Sequence, residues 1–144
     1  MMRLVLDTNV VVSGMLWRGA PRRLLELART GDIQLFTSPA LLSELEQTLG
    51  YAKLQAKVAA SRRSVRDLVN LYARLASVVN ADAIDPVVIN DPDDDQVLAC
   101  GLAARVAAIV SGDKHLLGLG NWRDIDIVSV PHMLRRLGDQ SVGG

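Results

Sequence analysis

Short apolar runs alternate with longer stretches patterned at helical spacing, and this alternation limits the fold of the chain more than any other feature. Residues 3–6 form an apolar run that stops at Asp7, as a strand buried on both faces would. Residues 33–36, 107–110 and 125–130 repeat the type, with a shorter apolar piece at Val78 and Val79. Between them, Leu24, Leu25, Leu27 and Ala28 recur at helical spacing over 22–29, and Gly31 stands where a helix C-cap belongs. Ser38 and Pro39 open a helix over 40–49 that carries Leu41, Leu42, Leu45 and Leu49 inward. Residues 61–75 predict the longest surface helix, an alanine-rich helix is expected over about 94–105, and Pro131 begins a terminal helix through 137. After Asp7 only a loop and one helical turn are expected. Strands alternating with helices predict an α/β fold, with a parallel sheet covered on both faces.

The 144 residues, 49% hydrophobic and 22% charged, predict one folded domain over 1–138 and a short flexible C-terminal tail over 139–144. Lys plus Arg and Asp plus Glu each number 16. No global positive field therefore advertises a nucleic-acid partner, and any RNA contact must come from local patches. One Phe, two Trp and two Tyr give little support for an aromatic stacking platform. The single cysteine, Cys100, excludes an intramolecular disulfide and fits a reducing cytoplasm. No apolar run approaches the length of a membrane span, and the stretch before Asp7 is too short for a signal segment.

In open parallel sheets, ligands bind outside the carboxyl ends of the strands. Asp7 and Asp113 each follow a strand there. An aspartate after a strand also serves as a helix cap or turn residue, so position alone does not fix its role. The run Asn90-Asp91-Pro92-Asp93-Asp94-Asp95 concentrates four carboxylates. Helix N-terminal chemistry accounts for Asp91 and Asp93. Asp94 shares a helix face with Val97, Leu98 and Gly101 and is expected to point toward the sheet edge, with Asp95, one position round, as a second candidate. Asp7, Asp94 and Asp113 together offer oxygen ligands suited to a hard cation such as Mg2+ or Mn2+. Glu44, midway along its helix, gains meaning only within this set.

Four segments in order, Val5-Leu6-Asp7-Thr8-Asn9-Val10, Ser38-Pro39 followed by Leu42-Ser43-Glu44-Leu45, Asp91-Pro92-Asp93-Asp94 leading into Val97-Leu98-Ala99, and Ser111-Gly112-Asp113-Lys114 before Leu116-Leu117, carry a resemblance. Over nearly its whole length the sequence resembles the PIN-domain nucleases, particularly the bacterial and archaeal toxins of toxin–antitoxin pairs. The resemblance implies a three-layer α/β/α sandwich around a mostly parallel sheet. It also implies an endoribonuclease in which Asp7, Glu44, Asp94 and Asp113 hold one or two divalent ions, Mg2+ or Mn2+. A shorter spacing between the third and fourth acids would select Asp95 instead of Asp94. Asn9 and Ser111 match polar positions that support the acids, Ser111 standing where the family often has threonine. Further implications are a protein antitoxin lying near Leu24, Leu41 and Leu45 and inserting a basic residue at the acids, and a homodimer. Arg18, Arg22, Arg23 and Lys114 are the basic residues expected to grip phosphates.

Two other readings compete. A phosphoryl-transfer domain of the haloacid-dehalogenase or receiver type also has an aspartate after a strand. The first needs a second aspartate two residues on, where Asn9 stands, and the second places its phosphoacceptor in a middle strand. A binding module that keeps the fold without catalysis is the other; retention of all four acids weighs against it.

Overall fold

The computed structural model describes residues 1–85, 87 and 91–138. Asn90 and the tail over 139–144 lie outside the described residues. Six strands form one sheet: β1 (Met2–Leu6), β2 (Ile33–Thr37), β3 (Ser77–Val78), β4 (Ala108–Val110), β5 (Asn121–Trp122) and β6 (Ile125–Val128), in the order β3-β2-β1-β4-β6-β5. All neighbours pair in parallel except β5 with β6. The helices are α1 (Thr8–Leu16), α2 (Ala20–Arg29), α3 (Pro39–Leu49), α4 (Gln55–Ala60), α5 (Val65–Leu75), α6 (Pro92–Ala104), α7 (Lys114–Leu119) and α8 (Val130–Arg136).

Side chains along a strand point alternately to the two faces. Leu4 and Leu6 of β1 therefore join Ile33, Leu35, Ala108 and Val110 in a core shared with α1, α2, α5 and α8, while Val5 joins Phe36, Ile109 and Ile127 in a core shared with α6 and α7. α3 wraps the sheet, giving Leu45 and Leu49 to the first core and Leu41 to the second. Three layers result, in the α/β/α order expected. Helix α6 and the sheet approach closely at Gly101, where a Cβ would lie 3.0 Å from Ile109 Cδ1. Cys100 packs on the same helix, fully buried; burial pushes its thiol up to about 11, so it stays protonated and inert near neutral pH.

Several elements differ from expectation. Asp7 is followed by a nine-residue helix, not one turn. The β-branched Val10, Val11 and Val12 disfavour helix locally, but all three are buried, and packing outweighs propensity. The helix predicted over 61–75 begins only at Val65. A reciprocal capping box between Ser64 and Asp67 fixes its start, and a 3-10 turn, Ala52–Leu54, with α4 occupies the preceding segment. At 13 residues α6 is longer than α5, which has 11. The antiparallel β5 has no counterpart among the expected strands: Arg123 and Asp124, both at positive φ, make its two-residue turn without the glycine that usually marks one.

Candidate metal centre

Strand order reverses at β1: β2 and β3 lie on one side, β4 and β6 on the other. The crevice at such a switch point opens at the carboxyl ends of β1 and β4. Asp7 leaves β1 there and serves as N-cap of α1, its Oδ1 accepting the Thr8 N–H at 2.8 Å. Ser111, fully buried just after β4, donates its hydroxyl to Asp7 Oδ2 at 2.7 Å and accepts the Asp113 N–H at 2.9 Å. One hydroxyl thus ties the first and last acids together. Asp113 in turn caps α7, its Oδ1 accepting from His115 N and Leu116 N.

The third element is the start of α6. Pro92 occupies its first turn, and Asp91 is the N-cap, accepting the Asp94 N–H at 3.3 Å. Asp91, Asp94 and Asp113 each offer a carboxylate oxygen, and these oxygens lie within 4.8 Å of one another. Asp94 is buried, and among the described residues its Oδ2 has no hydrogen-bond partner. The second candidate, Asp95, turns elsewhere: its Oδ1 accepts the Val87 N–H at 3.0 Å, tying the preceding segment to the helix. Glu44, half-buried on α3, feels the charges of Asp93, Asp7 and Asp91 and so faces the same crevice.

Electrostatic strain follows from this crowding. Burial first, then Asp113 and Asp91, hold the Asp94 carboxyl well above the ordinary range. Burial, with Asp93 and Asp7, pushes Glu44 up to about 7. Asp7 is raised by burial against the opposing hydrogen bonds from Ser111 and Thr8. Among the described residues, none of these carboxylates forms an ion pair with a Lys or Arg. An all-oxygen donor set with excess negative charge and a buried carboxylate oxygen that has no hydrogen-bond partner among the described residues fits a hard divalent cation.

Of the residues singled out in the sequence, Asp7, Asp94, Asp113, Ser111 and Glu44 meet at this crevice. Asn9 is exposed and, among the described residues, makes no hydrogen bond to the acids. The polar residue buried beside Asp7 is Thr8, whose side chain lies close enough to Glu44 to lower its pKa against the dominant effect of burial. Asp91 is the residue that sequence reasoning leaves out. Its capping signal is legible, but capping engages one oxygen and leaves the other available. Arg22, expected at phosphates, instead donates to the Gly14 and Met15 carbonyls at the end of α1. Arg23 pairs with Glu26 at 3.3 Å.

A family model described as the PIN domain matches residues 3–115. The chain belongs to the PIN domain family. No curated protein matches this PIN domain in sequence. Its fold is similar to that of a chain in the crystal structure of VapBC2 from Rickettsia felis bound to a DNA fragment from their promoter: TM-score 0.59, 13% identity, covering 89% of this chain and 98% of that one. The family match spans all four segments that hold the crevice acids, from Asp7 to Asp113.

Proposed function

We propose that this PIN domain is a metal-dependent endoribonuclease, using Mg2+ or Mn2+ at the acid crevice and acting as the toxin of a toxin–antitoxin pair. The observation that carries the reading is the convergence of Asp91, Asp94 and Asp113 on one point, with Asp7 locked beside them through Ser111. A divalent ion supplies Lewis-acid activation of the phosphate and a water of lowered pKa. Asp91, Asp94 and Asp113 would hold it, and Asp7, with both oxygens engaged by Ser111 and the Thr8 N–H, keeps its orientation as ligand. Glu44 faces the crevice from α3 and accepts at its carboxylate the proton that the attacking water loses. No nucleophilic side chain is required.

The partner assignment is part of the same proposal: a protein antitoxin, together with a homodimeric, cytoplasmic domain over 1–138. The docking place expected from sequence needs correction. Leu24, Leu41 and Leu45 are at most 4% exposed, because they fill the core, and so cannot receive a partner. Open apolar surface lies instead in a groove of about 670 Å3 between α1, α2 and α5, lined by Met15, Leu25, Leu71 and Leu75 with Arg63 and Arg74 beside them.

The deciding experiment incubates end-labelled RNA with the purified domain, with Mn2+ and with EDTA. Internal cleavage with Mn2+, none in EDTA, and loss in Asp7→Asn are expected; Asn preserves the shape of Asp7 and an acceptor for the Thr8 N–H, so the fold stays. Undiminished cleavage by Asp7→Asn refutes the assignment. A stable phosphoenzyme after acetyl phosphate treatment would favour phosphoryl transfer instead.

A further inference from the structure

The chain is electrically balanced overall, but its charges are not evenly spread. From Gly50 to Arg66 there is no Asp or Glu, while Lys53, Lys57, Arg62, Arg63 and Arg66 fall in that stretch. From Val10 to Leu25 there is likewise no acid, and Arg18, Arg22 and Arg23 occur. The fold joins the two stretches. Lys57 Nζ lies 5.2 Å from the centroid of the Trp17 ring, at the C-cap of α1, and Lys53 Nζ lies 6.0 Å from the Tyr51 ring, just beyond the end of α3. Lys53 and Lys57 are four residues apart on the 3-10 turn running into α4, a spacing that places them on one face.

Both rings are open to solvent, Trp17 40% and Tyr51 46% exposed, and both lysines are exposed. Each ring also ends a helix that starts from, or passes, the acid crevice. α1 is capped by Asp7 and delivers Trp17 ten residues later, about 15 Å along its axis; α3 carries Glu44 and delivers Tyr51 seven residues later, about 10 Å on. Exposed aromatic rings with flexible ammonium groups beside them suit single-stranded nucleic acid: every base has a face to stack, and every linkage a phosphate for a lysine. An acidic protein segment would use the lysines but has no general need of two aromatic faces.

We infer that Trp17 and Tyr51, with Lys53, Lys57 and the adjacent Arg18, form a stacking platform for single-stranded RNA at the ends of α1 and α3 away from the acid crevice, about 10–15 Å from its acids along those helices. The platform rests on the nuclease reading for the identity of the strand, and it binds RNA with no base-edge readout. The sparse aromatic content is no obstacle, because two of the few aromatics are concentrated here.

Binding to an unstructured 12-nucleotide RNA, measured in EDTA by anisotropy and by tryptophan emission in a Trp122→Phe background, tests this without any cleavage. Quenching of Trp17 emission is expected, with about tenfold weaker binding for Trp17→Ala and for Tyr51→Ala, and substantial recovery in Trp17→Phe. The Lys53→Ala/Lys57→Ala variant should flatten the slope of log K against log salt by about 1.4, roughly 0.7 for each phosphate that a lysine no longer neutralises. Unchanged affinity in the Trp17→Ala/Tyr51→Ala variant overturns the inference, as does tighter binding of duplex than of single strand. So does conversion of a dimer to a monomer by that variant with RNA affinity intact, since the face would then belong to a second copy. The two readings fail separately: binding in EDTA without cleavage on adding Mn2+ sinks the nuclease and leaves the platform, and cleavage with unaltered binding by the aromatic variants does the reverse.

Discussion

The Ser111 hydroxyl donates to Asp7 Oδ2 at 2.7 Å across 104 positions of sequence, and the same hydroxyl oxygen accepts the Asp113 N–H. It joins two strand ends that come together only because β4 crosses to the far side of β1. Ser111→Ala leaves a buried carboxylate oxygen and a partly buried N–H without this partner, at a cost of about 1–3 kcal/mol. If Asp7 ligates the ion as proposed, the Ser111 hydroxyl orients that ligand, and Mn2+ affinity is expected to fall about 10–100-fold. Urea denaturation and isothermal titration with Mn2+ measure the two effects; a variant with unaltered stability and affinity contradicts the bridge.

Asp91 and Asp95 are separable by one pair of substitutions. Asn is as good an N-cap as Asp, so Asp91→Asn keeps the α6 cap while removing a carboxylate charge from the acid cluster. Mn2+ affinity should drop at least about tenfold with little loss of stability. Asp95→Asn keeps an acceptor for the Val87 N–H and should leave Mn2+ affinity near that of the unmodified chain. Equal loss in both variants would show that Asp95 also reaches the ion.

Glu44 is raised from 4.5 to about 7 and Asp94 in the same direction, both chiefly by burial. A carboxyl with a raised folded-state pKa holds its proton more tightly in the native state than in the unfolded chain. The metal-free domain is therefore expected to lose stability as pH rises from 4.5 through about 7. Asp94→Asn should flatten that fall. Thermal melts in EDTA across this range read it directly, and a Tm that rises with pH there would contradict the crowding.

On the proposed metal dependence, Mn2+ binding to the deprotonated carboxylates should restore stability where the metal-free domain is weakest. At a hundredfold excess over Kd the gain is about 2.7 kcal/mol, a Tm rise of roughly 5–10 °C for a domain of this size. Asp94→Asn should abolish most of it. A melting temperature indifferent to Mn2+ would remove the site.

Arg22 is expected to act in folding and not in substrate binding. Its guanidinium donates to the Gly14 and Met15 carbonyls, so Arg22→Ala should cost about 1–3 kcal/mol in urea denaturation while leaving KM for RNA unchanged. A raised KM with unaltered stability would reverse that assignment.

The strands β1, β2 and β4, the helices α2 and α3, and the positions of Asp7 and Asp113 are legible in the sequence because period and punctuation are local properties. α1 is not, since its valines favour strand and only burial against α2 and the sheet makes them helical. Nor is the two-residue β5, which exists by pairing with β6. Glu44 has no local mark, being one glutamate on an amphipathic helix. Asp91 carries a mark that points to capping and hides its second oxygen.

By itself the amino-acid sequence determined the alternating α/β order, the apolar runs that stop at acids, and the concentration of carboxylates at the start of α6. Tertiary structure decided which carboxylates share a crevice, which leucines are out of a partner's reach, and that Trp17 and Tyr51 stand exposed with lysines over their rings. The division has a physical cause. Strand and helix signals come from neighbours within a few residues, whereas a site formed from strand ends and helix caps depends on how the chain reverses at β1, and no local interaction encodes that distance.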